Sequence, residues 1–183
     1  MRVSREQMAE HRRQILDAAS KLFREKGFEA VTVADVMAAA GLTHGGFYRH
    51  FASKDALIAA AIAEALDRAA ADRRAFPAYL AGYLSKAHRD HPGEGCPVAG
   101  LGPAAIREGA EARAAMTEGL RRQIARFAKE APGKTPAAKR QAAIAAWSAM
   151  VGALILARLA DDETLSDEIL TATRKSIATR AAN

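Results

Sequence analysis

Apolar residues recur at helical spacing through most of this chain. Between Met8 and Lys26 they fall at Met8, Ile15, Ala18, Ala19, Leu22 and Phe23, with charges on the opposite face, which predicts an amphipathic helix. Gly27 ends it, because glycine accepts the left-handed conformation of a helix C-terminus. A second helix opens at Thr32, whose hydroxyl pairs with Asp35 as a capping box, and buries Val33, Val36, Met37 and Ala40. Ala40-Gly41-Leu42 is a tight turn. Thr43 starts a third, short helix on which Phe47 and Phe51 share one face and His44 and Tyr48 another. Ser53 caps a fourth helix, with Asp55 near its positive end, running to about Arg74.

Beyond Phe76-Pro77 no segment alternates convincingly as a strand. The pattern predicts a helix to about Asp90, a loop from His91 to Gly95, helical stretches over Val98–Gly109 and Ala110–Glu130, a break from Ala131 to Pro136, and helices over Ala137–Ala160 and Glu163–Ala181. The expected fold is therefore all-α, with about nine helices. A three-helix head over residues 1–55 carries a helix-turn-helix, and a helical body over 56–183 follows through the fourth helix. No internal repeat or low-complexity linker separates them.

Composition agrees with this picture. Of 183 residues 50% are apolar but only 5% aromatic, and abundant alanine favours helices. The net charge of +6 permits a polyanionic partner without proving one. Residues Met1 to Gln7 are charged and lack the apolar stretch of a signal peptide. The longest apolar run, between Arg140 and Arg158, falls short of the ~20 residues that span a bilayer and suits a buried helix better. A single Cys96 excludes an internal disulfide and fits a reducing compartment, so the expected location is the cytoplasm, away from any membrane.

The informative segment is Thr32 to Leu57, TVADVMAAAGLTHGGFYRHFASKDAL. A capped helix, a glycine turn and a short helix with two inward phenylalanines is what a helix-turn-helix requires, although a plain helical hairpin shows as much. The segment also closely resembles the head of TetR-family transcriptional regulators. The shared features are a first helix ending at Gly27-Phe28, a threonine-initiated second helix, an Ala-Gly turn, the run Tyr48-Arg49-His50-Phe51, and the start Ser53, Lys54, Asp55 and Leu57. The match is dense over about the first sixty residues. The resemblance implies a double-stranded DNA operator as partner, with phosphate contacts from Thr32, Tyr48, His50 and Lys54 and base-edge contacts from Thr43, His44 and Gly45; Phe47 and Phe51 are core. Phosphate contacts position the protein and base contacts specify the sequence. Gly45-Gly46 is unusual in a helix, and either lets the backbone approach DNA or avoids an internal clash.

Other patterns carry less. Gly100-Leu101-Gly102-Pro103-Ala104-Ala105 fits a dinucleotide fingerprint only formally, since no strand precedes it and Pro103 removes a donor. His88, His91 and Cys96 can in principle gather round zinc but lack a fourth ligand, so no metal and no cofactor is expected. No catalytic arrangement stands out, and the chain is not read as an enzyme. The rival is a helical enzyme or carrier whose head has lost DNA binding. For an effector pocket in the body the candidates are Phe76, Tyr79, Tyr83, Cys96, Leu101, Met116, Leu120, Phe127, Trp147 and Met150, most of them also plausible core. Cys96, beginning a helix, is either a reactive thiolate or a small inert packing residue, the latter favoured. The last two helices bear Ala145, Ala149, Ala153, Ile169, Thr173 and Ile177 at spacings that permit close helix approach; in TetR-like proteins the corresponding pair forms a four-helix dimer interface. The expected function is that of a homodimeric repressor released from a palindromic operator by a small-molecule effector.

Overall fold

The computed structural model describes residues 4–182. Helix α1 spans Arg5–Lys26 and α2 Val33–Ala39; a 3-10 turn follows over His44–Arg49, and then come α3 Lys54–Ala70, α4 Phe76–Tyr83 and α5 Lys86–Asp90. A second 3-10 turn, Pro92–Glu94, leads into α6 Pro97–Ala105, α7 Ala110–Ala128, α8 Pro136–Leu159 and α9 Glu163–Ala182. The described residues contain no β-strand. The all-α expectation holds.

The helix ends follow from local chemistry. At α2 the Asp35 amide donates to the Thr32 hydroxyl (3.2 Å) while the Thr32 amide donates back to the Asp35 carboxylate (2.8 Å), a reciprocal capping box. Ser53 accepts from the Ala56 amide at the start of α3, and Thr135 from the Ala138 amide at the start of α8. Gly27 (φ 80°) and Gly41 (φ 70°) end α1 and the α2 turn in the left-handed region, where a β-carbon is strained.

Three expectations change in detail. The third helix forms as a 3-10 turn, with Gly46 bonded back to Thr43 and His50 to Phe47, since two adjacent glycines add little to α-helical propagation. The fourth helix stops at Ala70, where Asp72 accepts from the Arg74 amide (2.9 Å) and pairs with its guanidinium (2.6 Å), turning the chain. The helix expected up to Asp90 splits, because Leu84 leaves helical geometry and the Ser85 hydroxyl caps a new helix through the His88 amide.

Two cores result. The first joins Ile15, Phe23, Val36, Met37, Phe47 and Phe51 of the head to Leu57 of α3, Leu101 of α6 and Met116 of α7. The second gathers Tyr79, Tyr83, Phe127, Trp147, Met150 and Leu154 with Leu170 and Ile177 of α9. Helices α3 and α7 pack closely at Gly119, where an added β-carbon would lie 2.8 Å from Leu66 Cβ. Gly119→Val is therefore expected to lower stability by about 1–3 kcal/mol through overpacking. Urea denaturation checks this, and an unchanged midpoint would contradict so tight a seam.

Candidate functional site

The recognition turn is fixed from beneath by aromatic packing. Phe47 is fully buried and stacks on Phe51 with ring centroids 5.8 Å apart. Arg12 of α1 donates to the His50 carbonyl (2.7 Å) and lays its guanidinium 4.2 Å from the Phe51 ring centroid, clamping the end of the turn. Local sequence gives no sign of this clamp, since the partners lie 38 residues apart. With Phe47 held down, the next residue must point out, and Tyr48 is 71% exposed. Thr43, His44, Gly45 and Arg49 are exposed beside it.

The remaining head residues differ. His50 is half-buried; desolvation, reinforced by the charges of His11, Arg12 and Arg49, lowers its pKa. Lys54 is half-buried in the first turn of α3. Both donors of Thr32 are engaged by Asp35: its amide, and its hydroxyl at 2.6 Å. Neither is left for a phosphate unless the capping box opens. At Gly45 an added β-carbon meets nothing within 4 Å, and at Gly46 only ordinary contacts with Met37 and Thr43. No internal clash requires either glycine.

In the body a cavity of about 250 Å³ lies among α3, α4, α6, α7 and α8. Of the expected residues, Tyr79, Tyr83, Cys96 and Trp147 line it, joined by His88, which the sequence offers only as a weak zinc candidate, and by Gln123, which it does not single out. Phe76 and Phe127 instead edge an open, alanine-lined groove of about 500 Å³ between α8 and α9. Leu101, Met116 and Leu120 belong to the first core and Met150 to the second, and they line neither space.

His88 organises the cavity wall. Its Nδ1 lies 2.7 Å from the Tyr83 carbonyl and must donate, so its Nε2 accepts from the Cys96 amide at 2.8 Å. That uses both ring nitrogens of a neutral imidazole, whose pKa burial lowers. The His91 ring turns instead to the Ala87 carbonyl, so His88, His91 and Cys96 are not brought together, and among the described residues no group of three or more metal-ligating side chains gathers. Burial raises the pKa of the Cys96 thiol despite its position before α6, in keeping with the inert reading. Gly100 and Gly102 lie within α6, Gly100 against the Arg24 side chain, which accounts for that motif by helix packing.

The cavity rim reaches the head. Arg24 of α1 donates to the Gly93 carbonyl (2.9 Å) in the Pro92–Glu94 turn, and Glu94 pairs with Lys21 at 3.9 Å. A loop that leaves the cavity at His88 and returns at Cys96 therefore rests on the first helix.

These features together describe an all-helical protein with a helix-turn-helix head and a cavity in its body. Residues 15–61 match the family model described as bacterial regulatory proteins, tetR family. The HTH-type transcriptional repressor Rv1474c of Mycobacterium tuberculosis is 41% identical over 70 residues, which are 38% of this chain and 37% of that protein. The HTH-type transcriptional repressor KstR2 of Rhodococcus jostii is 45% identical over 47 residues, 26% of this chain and 23% of its own. The matches thus span little more than a third of those relatives at most. The whole fold is shared with the reduced form of E. coli NemR (TM-score 0.74, 19% identity, 92% of this chain and 95% of that one). A TetR-family regulator from Agrobacterium tumefaciens is equally similar (TM-score 0.74, 18% identity, 94% and 98% covered). Residues 15–61 thus resemble a tetR-type head, and the whole chain shares the fold of these solved structures.

The His88 linkage has a definite sign. Its folded pKa is lowered, so its contribution is present above the unfolded value near 6.5 and is lost as pH falls through the folded value. Stability should therefore drop below about pH 6.5, and His88→Gln should flatten part of that drop. Thermal melts from pH 7.5 to 5 measure it, and identical pH profiles for both proteins would exclude His88 as a contributor.

Proposed function

We propose that this chain is a homodimeric transcriptional repressor that binds a near-palindromic DNA operator in the bacterial cytoplasm and leaves it when a small effector occupies the body cavity. The observation that carries the reading is the recognition turn: two buried phenylalanines and the Arg12 clamp hold an exposed row of Thr43, His44, Gly45 and Tyr48 in fixed orientation. In this arrangement Tyr48, His50 and Lys54 contact phosphates, Thr43, His44 and Gly45 meet base edges, and Thr32 serves chiefly by capping α2. Dimerisation is supported by the outer face of α8 and α9, where Ile144, Leu156, Leu159 and Leu165 are exposed large apolar residues. A two-fold dimer reads two half-sites about one helical turn, ~34–36 Å, apart or a multiple of it. Release requires the effector to bind the non-DNA-binding arrangement more tightly. The Pro92–Glu94 turn on α1 offers a contact through which cavity and head influence each other.

Selection of bound sequences from random DNA at low salt tests the reading directly, with a symmetric site as the expected product. Failure to enrich any such site would sink it. Two substitutions refine the interface. Gly45→Ala meets open space and improves helix propensity, so stability should hold or rise by up to about 1 kcal/mol while operator affinity falls. Affinity unchanged in that variant would remove close backbone approach from the account. Lys54→Ala should weaken binding nearly uniformly across sequences and reduce the salt slope by roughly one per site, read from binding titrations over a range of salt.

A further inference from the structure

Two buried polar groups on the cavity wall have no partner. Trp147 and Tyr83 are 7% and 5% exposed, and neither the Trp147 Nε1–H nor the Tyr83 hydroxyl finds a hydrogen bond among the described residues. Buried polar groups in folded proteins are nearly always paired, so two orphans on one cavity call for a ligand. An indole N–H can only donate, so its partner is an acceptor. Tyr83 is held protonated by burial, first of all, and so also has a proton to give. The Cys96 thiol beside it is a weak partner and no substitute for an oxygen.

The rest of the wall sets shape and charge. The rings of Tyr79 and Tyr83 lie 5.8 Å apart at 31°, and Leu66 and Val98 complete an apolar lining. The space, about 250 Å³, suits one or two fused rings. No charge waits inside for an ionic ligand. His88 is neutral with both nitrogens occupied. Arg158 spends its guanidinium on the carbonyls of His88 and Arg89, Arg74 is paired with Asp72, and Arg126 reaches Asp72 and covers the Tyr79 ring. At the rim, Glu94 pairs with Lys21. Burying an unpaired charge here would be costly.

We infer that the cavity takes a small, flat, uncharged aromatic molecule bearing an acceptor oxygen, which receives the free hydrogens of Trp147 and Tyr83. The binding chemistry stands on the cavity alone; that this molecule is the effector rests on the repressor reading above.

Trp147 is the chain's only tryptophan, so its emission reports this cavity. The full chain is titrated with four matched two-ring probes: indanone, indane, aminoindane and indane carboxylate. Affinities come from calorimetry and location from Trp147 quenching. Indanone should bind at least about tenfold more tightly than indane, the effect of satisfying buried donors, and quench Trp147; the charged probes should do no better than indane. Tyr83→Phe keeps the ring and should cut the indanone preference about tenfold without altering indane binding, with thermal melts confirming the fold. Equal affinity for indane and indanone, tighter binding of a charged probe, or no binding at millimolar concentration overturns the assignment. Retention of a selected DNA site while indanone fills the cavity overturns the effector role alone. Failure to bind any DNA strikes the repressor reading and leaves the Trp147 titration to judge the cavity.

Discussion

The head of this molecule does not own its hydrophobic core. Phe47, Phe51 and Leu57 share one apolar cluster with Leu101 and Ala105 of α6 and Ala112 and Met116 of α7. A head of about fifty-five residues buries too little surface to be comfortably stable alone, and here the deficit is met by the body. The shared cluster runs along α3, which begins beside the recognition turn and ends at the rim of the cavity, where Leu66 packs on Gly119 and Ala69 borders the empty space. Close-packed interiors transmit displacement, so the recognition surface cannot tilt without disturbing α6 or α7.

A second connection runs along the opposite edge. The loop from His88 to Cys96 is held to the cavity by hydrogen bonds at both ends of one imidazole and to α1 by Arg24 on the Gly93 carbonyl. Helix α1 in turn holds the recognition turn through Arg12. Shared packing along α3 and polar contacts along α1 thus meet at Phe51, which is buried in the first cluster and covered by Arg12. In the proposed repressor, a ligand that changes the cavity wall has two physical routes to the DNA-reading surface, and both depend on differential contacts between two arrangements.

The helices and most of their ends are legible in the sequence because they rest on local chemistry: the Thr32–Asp35 box, the Ser53 cap and the glycine stops at Gly27 and Gly41 all use neighbours a few residues away. What the sequence hides is pairing at long range. Arg12 reads as one more surface charge until the fold brings His50 to it. Leu101, Met116 and Leu120 look as fit for a pocket as Tyr79 and Trp147, since hydrophobic character alone does not tell which side of α7 faces the head and which the cavity. His88 reads only as one of three loosely spaced candidate zinc ligands, because the two backbone groups that orient it and fix its neutral tautomer come from Tyr83 and from the far side of a loop. The break at Leu84-Ser85 is invisible to periodicity for a related reason: a serine hydroxyl competes locally with the helix, and apolar spacing does not record it.

Helix α8 shows how hydropathy misleads when a helix has two partners. By length and composition it is long and apolar enough to cross a membrane. Its inner positions Trp147, Met150, Leu154 and Ala157 are buried in the second core, while Ile144, Leu156 and Leu159 look outward. A surface helix with one buried face carries charges on the other. This one is charged mainly near its ends, at Lys139, Arg140 and Arg158. The exposed leucines leave an apolar outer face uncovered within one chain, beside the groove in which Ala172 and Ile177 of α9 face Ala145 and Ala149. In the proposed homodimer a second copy of the same pair, related by a two-fold axis, would cover the rest with the same residues, which is why symmetric dimers are common. The same axis would then set the spacing of the two recognition turns. On this account the apolarity that imitates a membrane span fixes the geometry with which two heads meet a palindrome.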